Sequence, residues 1–435
     1  MTDRKGFIFD PALCVACRSC SAACMLANGW ETRVRTVFSN NSNRYYPDPV
    51  INISMACNHC EEPSCQKGCP ASAFRFDINT GAVLTDPGAC IGCRYCTWTC
   101  PYDSPKFSEA LGIIEKCHYC NDRLASYPEP ACSAACPTGA LSYGLITEKV
   151  SNSTHEWFPE KGNNPSMLVE ATYTPSVVKE IPEPTRRMEV NSPVKRITNE
   201  WSLVVFTFLL AVSASFTMAG IESADKYFSL AGLIIAIAAG PVSLLHLGKP
   251  LRAWRALSGI RTSALSREIA GFLLYLLLQL IFSITGLPAI SILLQISAFL
   301  LLFLVDDIYT STSGNKAFHL HSGQTLLTGL LLTALLMKSI LPFAFVAILK
   351  IILIFTNMLG KGYDSYPFPI RFIRFALLLV ATISLVSGRV SFTLVLTLLV
   401  FAGELIDRFL YYYDFSPYSI VNTIKRGKNE REKNK

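Results

Sequence analysis

Two patterns of hydrophobic and polar positions share this chain. From about Trp201 onward, apolar runs near 20 residues follow one another, each the length that crosses about 30 Å of hydrocarbon as a helix. Eight can be marked, at about 201–220, 227–247, 268–286, 290–305, 322–340, 342–359, 370–388 and 390–409. The fourth is short, and Lys338–Pro342 predicts a tight hairpin between the fifth and sixth. Gly240-Pro241 inside the second predicts a bend, because neighbouring helices can satisfy the backbone groups that proline frees. Before Trp201 the pattern is different. Residues 1–144 predict short strands, turns and short helices. Residues 145–198 carry Pro159, Pro165, Pro175, Pro182, Pro184 and Pro193 among polar positions. They predict a linker, part of it lying across the head. The expected class is an α+β head, 1–144, and a linker, 145–198. An all-α polytopic bundle of about eight helices, 199–412, and a basic tail, 413–435, follow.

Composition sharpens this division. Hydrophobic residues make up 51% of the 435 and charged residues only 16%, too apolar a balance for an ordinary soluble protein of this size. All 16 cysteines lie between Cys14 and Cys136. Disulfide frameworks belong to small secreted chains, and Met1 to Pro11 contains no apolar core of a secretory signal. The cysteines are therefore expected as thiolates that meet iron in the cytoplasm. No nucleic-acid partner is expected.

The cysteines fall into four blocks. Cys14, Cys17, Cys20 and Cys24 are spaced C-x2-C-x2-C-x3-C. Cys57, Cys60, Cys65 and Cys69 precede Pro70; Cys90, Cys93, Cys96 and Cys100 precede Pro101; Cys117, Cys120, Cys132 and Cys136 precede Pro137. The run C-x2-C-x2-C-x3-C-P is the bacterial ferredoxin pattern, in which three cysteines grip one cubane and the fourth grips a neighbouring one. A short loop wraps three corners of a cluster but reaches the fourth poorly. Exchanging the fourth ligand solves this and brings two clusters close together, as electron transfer requires. Four blocks of four supply ligands for four [4Fe–4S] clusters with none left over, so the head is expected to be ferredoxin-like. Four-cysteine zinc sites also use C-x2-C pairs, but in two pairs rather than a triplet followed by x3-C-P. His59 and His118, inside the motifs, are read as local hydrogen-bonding residues. Spacing leaves open whether adjacent or alternate blocks share clusters.

The head resembles the four-cluster iron–sulfur subunits of molybdenum oxidoreductases, above all that of dimethyl sulfoxide reductase. The stretches FDPALCVACRSCSAAC, CNHCEEPSCQKGCP, CIGCRYCTWTCPYDSP and KCHYCNDR…ACSAACPTGAL carry the resemblance. It implies that the first block pairs with the fourth and the second with the third. One cluster would then take Cys14, Cys17, Cys20 and Cys136, and another Cys117, Cys120, Cys132 and Cys24. A third would take Cys57, Cys60, Cys65 and Cys100, and the last Cys90, Cys93, Cys96 and Cys69. Some relatives replace one cysteine of the third block and hold a three-iron cluster; Cys93 is present here, so four complete cubanes are expected.

The apolar body resembles the membrane anchor subunit of the same enzymes, through SLLHLGKPLRAWRALSG with TSALSREI and through GELIDRFLYYY. The resemblance implies an inner-membrane protein exchanging electrons with menaquinol and serving a molybdopterin catalytic subunit, with lipid and the quinone pool as further partners. With eight spans the head, the loops after even-numbered helices and the tail share one face. That face carries Lys249, Arg252, Arg255, Arg261, Arg267, Lys316, Lys361, Arg371, Arg374 and Arg408, against Lys226, Lys338 and Arg389 opposite. The positive-inside rule puts it in the cytoplasm, whereas familiar relatives turn it outward. No haem is expected, because His246, His319 and His321 lie at predicted helix ends and no other histidine lies in the body.

Three functions fit: a quinol-oxidising module feeding a molybdenum partner, the same module run in reverse into quinone, and a membrane-tethered iron–sulfur sensor or scaffold. A sensor explains one cluster better than four. His246, at the end of the second run, and Glu268, at the start of the third, are the candidate quinol residues. A neutral histidine can take a quinol proton, and a desolvated carboxylate can pass one on. The structural alternative is a helix-capping His246 and a Glu268 paired with Arg267 or Arg252. Lys350, mid-span, is costly there and a functional candidate. Glu404, Asp407 and Arg408 are read as an internal ion pair.

Overall fold

The structure is a computed structural model that describes residues 4–39, 52–146, 162–170, 201–314, 316–359, 368–387, 394–415 and 417–419. The chain divides into two compact units. One takes in Met1–Val194 with Leu251–Ser263 and Pro417–Lys435, the other Lys195–Pro250 with Ala264–Ser416.

The first unit is small α/β structure wrapped around its cysteine loops. Its elements in chain order are β1 (Arg4–Phe9), α1 (Ser19–Asn28), β2 (Thr36–Ser39), β3 (Asn52–Met55), α2 (Ser64–Gly68), β4 (Phe74–Phe76), β5 (Val83–Thr85) and α3 (Tyr95–Thr99). β6 (Lys106–Ser108), β7 (Ile113–Glu115), α4 (Asn121–Leu124), α5 (Ala131–Ala134), β8 (Leu141–Ile146) and β9 (Met167–Val169) follow. β1 pairs antiparallel with β8 and parallel with β9, while β2–β3, β4–β5 and β6–β7 are separate antiparallel pairs. Three-residue strands cannot stand alone; each is held between cluster loops. Phe7 and Phe9, alternating on the inner face of β1, join Ile53, Met55, Tyr119 and seven buried cysteines in one core. β9 comes from the segment expected to be a linker, so part of that segment does lie across the head.

The second unit holds eight helices among the described residues: α6 (Trp201–Glu222), α7 (Lys226–Leu244), α8 (Ala264–Thr285), α9 (Pro288–Thr312), α10 (Thr325–Leu336), α11 (Ile340–Leu359), α12 (Phe368–Val386) and α13 (Leu394–Asp414). Trp201–Glu222, Lys226–Leu244, Ala264–Thr285, Pro288–Thr312 and Pro369–Val386 are long and apolar enough to cross a membrane. Outward-facing Ile234, Leu277, Ile296 and Phe345 are exposed and apolar, as lipid-facing positions are. α6 is the most enclosed, with 67% of its apolar window buried. Its packing relies on small residues, as in membrane bundles generally. Ser213 Oγ donates to Gly232 O on α7 at 2.8 Å and Ser215 Oγ to Gly329 O on α10 at 2.9 Å. A Cβ on Gly232 would lie 2.4 Å from Thr217 Oγ1.

Two helices differ from the lengths the hydropathy predicts. The fourth run, short by hydropathy, becomes the longest helix, α9 with 25 residues, continuing through Asp306 and Asp307. The fifth run, 322–340, yields only the 12 residues of α10. The two helices meet at Asp306, which accepts the backbone N–H groups of Thr325 and Leu326 at 2.8 and 2.9 Å, so a carboxylate from α9 caps α10. The tight connection around Lys338 is present, with Lys338 itself left-handed at φ 54°. Pro241 sits inside α7.

Candidate metal centres and anchor sites

The four cysteine blocks share one backbone device. In the first C-x2-C pair of each block the residue just before the second cysteine has a left-handed φ: Ala16 at 57°, His59 at 43°, Gly92 at 71° and Tyr119 at 58°. Three of the four are not glycine and so bear a steric cost. That cost curls each loop so that its two cysteines face one space. Short helices then set the later cysteines: α1 carries Cys20 and Cys24, α2 Cys65, α3 Cys96 and α5 Cys132.

The loops bring the cysteines together in sets drawn from two blocks each. One cavity is lined by Cys57, Cys60, Cys65 and Cys100. Another is lined by Cys14, Cys17, Cys20 and Cys136. Cys24 lies within electrostatic reach of Cys120 and Cys132, and Cys117 of Cys24 and Cys132. Cys96 is similarly close to Cys93, Cys69 and Cys90. Cys136 thus lies with cysteines of the first block, Cys24 with those of the fourth, Cys100 with those of the second and Cys69 with those of the third.

The donor set fits clusters rather than single ions. Two cavities, each walled by four cysteines, suit an inorganic core held by thiolates. N–H groups already point at sulfur: His59 N–H donates to Cys57 Sγ at 3.4 Å and Ala73 N–H to Cys69 Sγ at 3.3 Å. Burial pushes the Cys24 and Cys93 thiols up to about 12 and Cys100 to about 11. Iron that binds thiolates must therefore displace protons. His59 is buried, accepts Val83 N–H on Nδ1 at 3.0 Å and stacks on Tyr119 at 3.7 Å. Burial, then the Lys116 charge, holds it well below the usual imidazole range. His118 Nδ1 accepts Asn121 N–H at 3.1 Å. Both histidines hydrogen-bond locally.

Sequence reasoning missed two residues of this site. Arg35 is 1% exposed and lies beside Cys132, Cys117, Cys20 and Cys24. Lys116 is 4% exposed and lies beside Cys57, Cys65 and Cys117. Burial alone would lower the affinity of both for their protons, and the neighbouring thiolates outweigh it. The only signals were positional: Lys116 directly precedes a motif cysteine, and Arg35 sits in the short polar stretch before β2.

Residues 50–146 match the 4Fe-4S dicluster domain family, and residues 197–359 match the DMSO reductase anchor subunit (DmsC) family. The B subunit of the anaerobic dimethyl sulfoxide reductase of Escherichia coli (strain K12) is 36% identical over 164 residues, 34% of this chain and 77% of that protein. This chain is a member of that B-subunit family. The counterpart in Haemophilus influenzae is 33% identical over 157 residues, covering 34% of this chain and 76% of that one. Thiosulfate reductase electron transfer subunit PhsB of Salmonella typhi is 32% identical over 168 residues, 37% of this chain and 84% of its own. This family member thus carries the iron–sulfur domain and a dimethyl sulfoxide reductase-type membrane anchor domain in one polypeptide.

In the anchor, His246 follows the end of α7 and is partly buried, and Glu268 lies one turn inside α8 rather than at its start, 6% exposed. Glu268 feels the charges of Arg408 and Asp306. Arg252, one of its expected partners, instead donates from Nη1 to the carbonyls of Pro87 at 2.7 Å and Cys90 at 3.2 Å. The segment holding Arg252, Leu251–Ser263, belongs to the cluster unit although the sequence puts it inside the anchor. Gly259 N–H donates to Pro70 O at 2.8 Å and Ser263 Oγ to Gly68 O at 2.8 Å, both beside Cys69.

Lys350 is fully buried, with Nζ 2.5 Å from Glu404 Oε2 and 3.2 Å from Asp407 Oδ2. Arg374 bridges the same two carboxylates. Glu404 and Asp407 are thus paired, but with Lys350 and Arg374 on other helices. Arg408 goes elsewhere, to Gly323 O and Thr207 Oγ1 at 2.9 Å each and to Asp306 at 3.6 Å. His321 Nδ1 accepts Gly323 N–H at 2.9 Å, which leaves its Nε2 proton for Asp414 at 3.1 Å. These pairs tie α11, α12 and α13 together.

Proposed function

We propose that this chain oxidises menaquinol in its anchor domain and carries the electrons through four [4Fe–4S] clusters to a separate molybdopterin catalytic subunit. The observation that supports it most is the division of sixteen cysteines into four sets of four, each drawn from two blocks. Cys14, Cys17, Cys20 and Cys136 would hold one cluster, and Cys24, Cys117, Cys120 and Cys132 a second. Cys57, Cys60, Cys65 and Cys100 would hold a third, and Cys69, Cys90, Cys93 and Cys96 the fourth. The clusters supply one-electron steps in series. The protein buries most of their ligands, Cys17 being exposed, and hydrogen-bonds several of them.

Quinol oxidation releases two electrons and two protons. His246 and Glu268 are the proposed acceptors of those protons. In sequence they bracket Leu251–Ser263, the segment that packs beside Cys69 and Cys90. The cluster face is proposed to be cytoplasmic on the inner membrane, from the bias of Lys and Arg between spans. The partner is a molybdopterin subunit; among relatives the acceptors named are dimethyl sulfoxide and thiosulfate. Running the module in reverse, from a dehydrogenase into quinone, uses the same residues.

The test replaces His246 or Glu268 singly and follows menaquinol-driven reduction of the clusters. That step slows about tenfold or more, while dithionite still reduces every cluster. Unchanged quinol-driven reduction in both variants rules the site out.

A further inference from the structure

Two cations are buried among the cysteines. Arg35 is 1% exposed and Lys116 4%, and among the described residues neither has an acidic side chain in ion-pair range. Arg35 Nη1 donates to Ser54 Oγ at 3.1 Å, and its carbon lies 4.3 Å from the centre of the Phe7 ring. Its Nε and Nη2 are buried without an oxygen acceptor, and the guanidinium reaches the Cys132 sulfur. Lys116 Nζ donates to the carbonyls of Val83 and Cys117. An unbalanced buried charge is strongly unfavourable, so both call for an anion that the carboxylates of the described residues do not supply.

Their positions identify that anion. Arg35 sits among Cys132, Cys117 and Cys24 of one set and Cys20 of another. Lys116 lines the cavity of Cys57, Cys60, Cys65 and Cys100 and also meets Cys117. Each cation therefore stands at the junction of two successive cysteine sets, and the set of Cys24, Cys117, Cys120 and Cys132 is flanked by both. The fourth set, Cys69, Cys90, Cys93 and Cys96, has no such buried cation among the described residues: Arg252, which donates to the carbonyl of Cys90, is partly exposed, and solvent screens its charge.

A cubane with four thiolate ligands is anionic, and reduction adds one more negative charge. A fixed cation close by stabilises the reduced form more than the oxidised form and so raises the midpoint potential. We propose that Arg35 and Lys116 set the potentials of the clusters they flank, holding them above that of the fourth set. This rests on the four-cluster reading above. It goes beyond that reading by ordering the clusters in energy: electrons entering at the fourth set would fall toward the sets that the cations flank.

The experiment is a redox titration of the purified full-length chain, followed by electron paramagnetic resonance, with iron content measured on each sample. The variants are Lys116→Met, Lys116→Gln, Lys116→Arg, Arg35→Gln and Arg35→Lys. A Cys100→Ser variant identifies the signal of the set that Lys116 lines. Lys116→Met and Lys116→Gln should make that cluster at least tenfold harder to reduce, about 59 mV for one electron. Lys116→Arg should titrate near the parent. Arg35→Gln should shift the cluster of Cys24, Cys117, Cys120 and Cys132 in the same direction, and Arg35→Lys should not. If Lys116→Met fails to keep its iron, Lys116→Gln carries the test. The proposal is overturned if charge-removing variants that retain full iron titrate like the parent, or if Lys116→Arg shifts as far as Lys116→Met. An iron content below four clusters in the parent strikes the four-cluster reading instead, so the two failures are distinguishable.

Discussion

At the residue scale, the cysteines were legible and their backbone was not. A spacing of C-x2-C names the ligands, but nothing in Ala16, His59 or Tyr119 announces a left-handed conformation; only Gly92 is the expected residue type. The conformation comes from the loop having to turn two sulfurs toward one space. Arg35 and Lys116 were hidden for a similar reason, since a charged residue in sequence looks solvated until the fold encloses it. The thiols lead to a prediction with a definite sign. Burial raises Cys24, Cys93 and Cys100 above the ordinary 9.0. In the iron-free head these neutral thiols favour the folded state below 9.0, and that contribution is lost as pH rises toward the raised values. Loading with iron should release protons, measurable with a pH indicator during anaerobic reconstitution at neutral pH. A reconstitution that releases none would mean that the thiols are already ionised. A single ligand change is equally specific: Cys96→Ser should alter or remove only the cluster signal of its own set, leaving about three cubanes.

At the scale of elements, hydropathy located all eight helices but misjudged two, which meet at a polar residue. Asp306 lies in α9 beyond its apolar run and caps α10. Lys350, the mid-span lysine, is explained by Glu404 and Asp407 on another helix, and Arg374 shares the same carboxylates. Breaking a buried ion pair by removing one partner costs about 3–5 kcal/mol, more than the pair itself contributes. Glu404→Ala should therefore lower the thermal midpoint of the detergent-solubilised chain markedly. Glu404→Gln combined with Lys350→Met should recover most of the loss. Equal losses in the single and double variants would show that packing, not charge, holds these helices. Gly259 is a second test at this scale. A Cβ there would lie 2.6 Å from Cys69 O and 3.1 Å from Pro70 Cα. Gly259→Val should displace Leu251–Ser263 and perturb the signal of the cluster assigned to Cys69, while that assigned to Cys14 stays unchanged. An unperturbed spectrum would mean that the segment is not a support of that centre.

At the scale of the whole molecule, the division into a cysteine head and an apolar body was plain from the distribution of cysteines alone. What the sequence could not show is that the residues Leu251–Ser263, lying between two anchor helices, belong to the head unit. They are short, basic and without a period, so they read as an ordinary loop. Their hydrogen bonds to Gly68, Pro70, Pro87 and Cys90 make them part of the cluster scaffold. A polypeptide that carries both domains needs one further subunit to meet a terminal acceptor, and this one alone should reduce neither a sulfoxide nor an N-oxide. The measurement that bears most directly on the account is iron and acid-labile sulfide per chain, on full-length protein purified without oxygen. Four complete cubanes predict about sixteen irons and as many sulfides. Fewer than about twelve irons after anaerobic reconstitution, or zinc in their place, would contradict it.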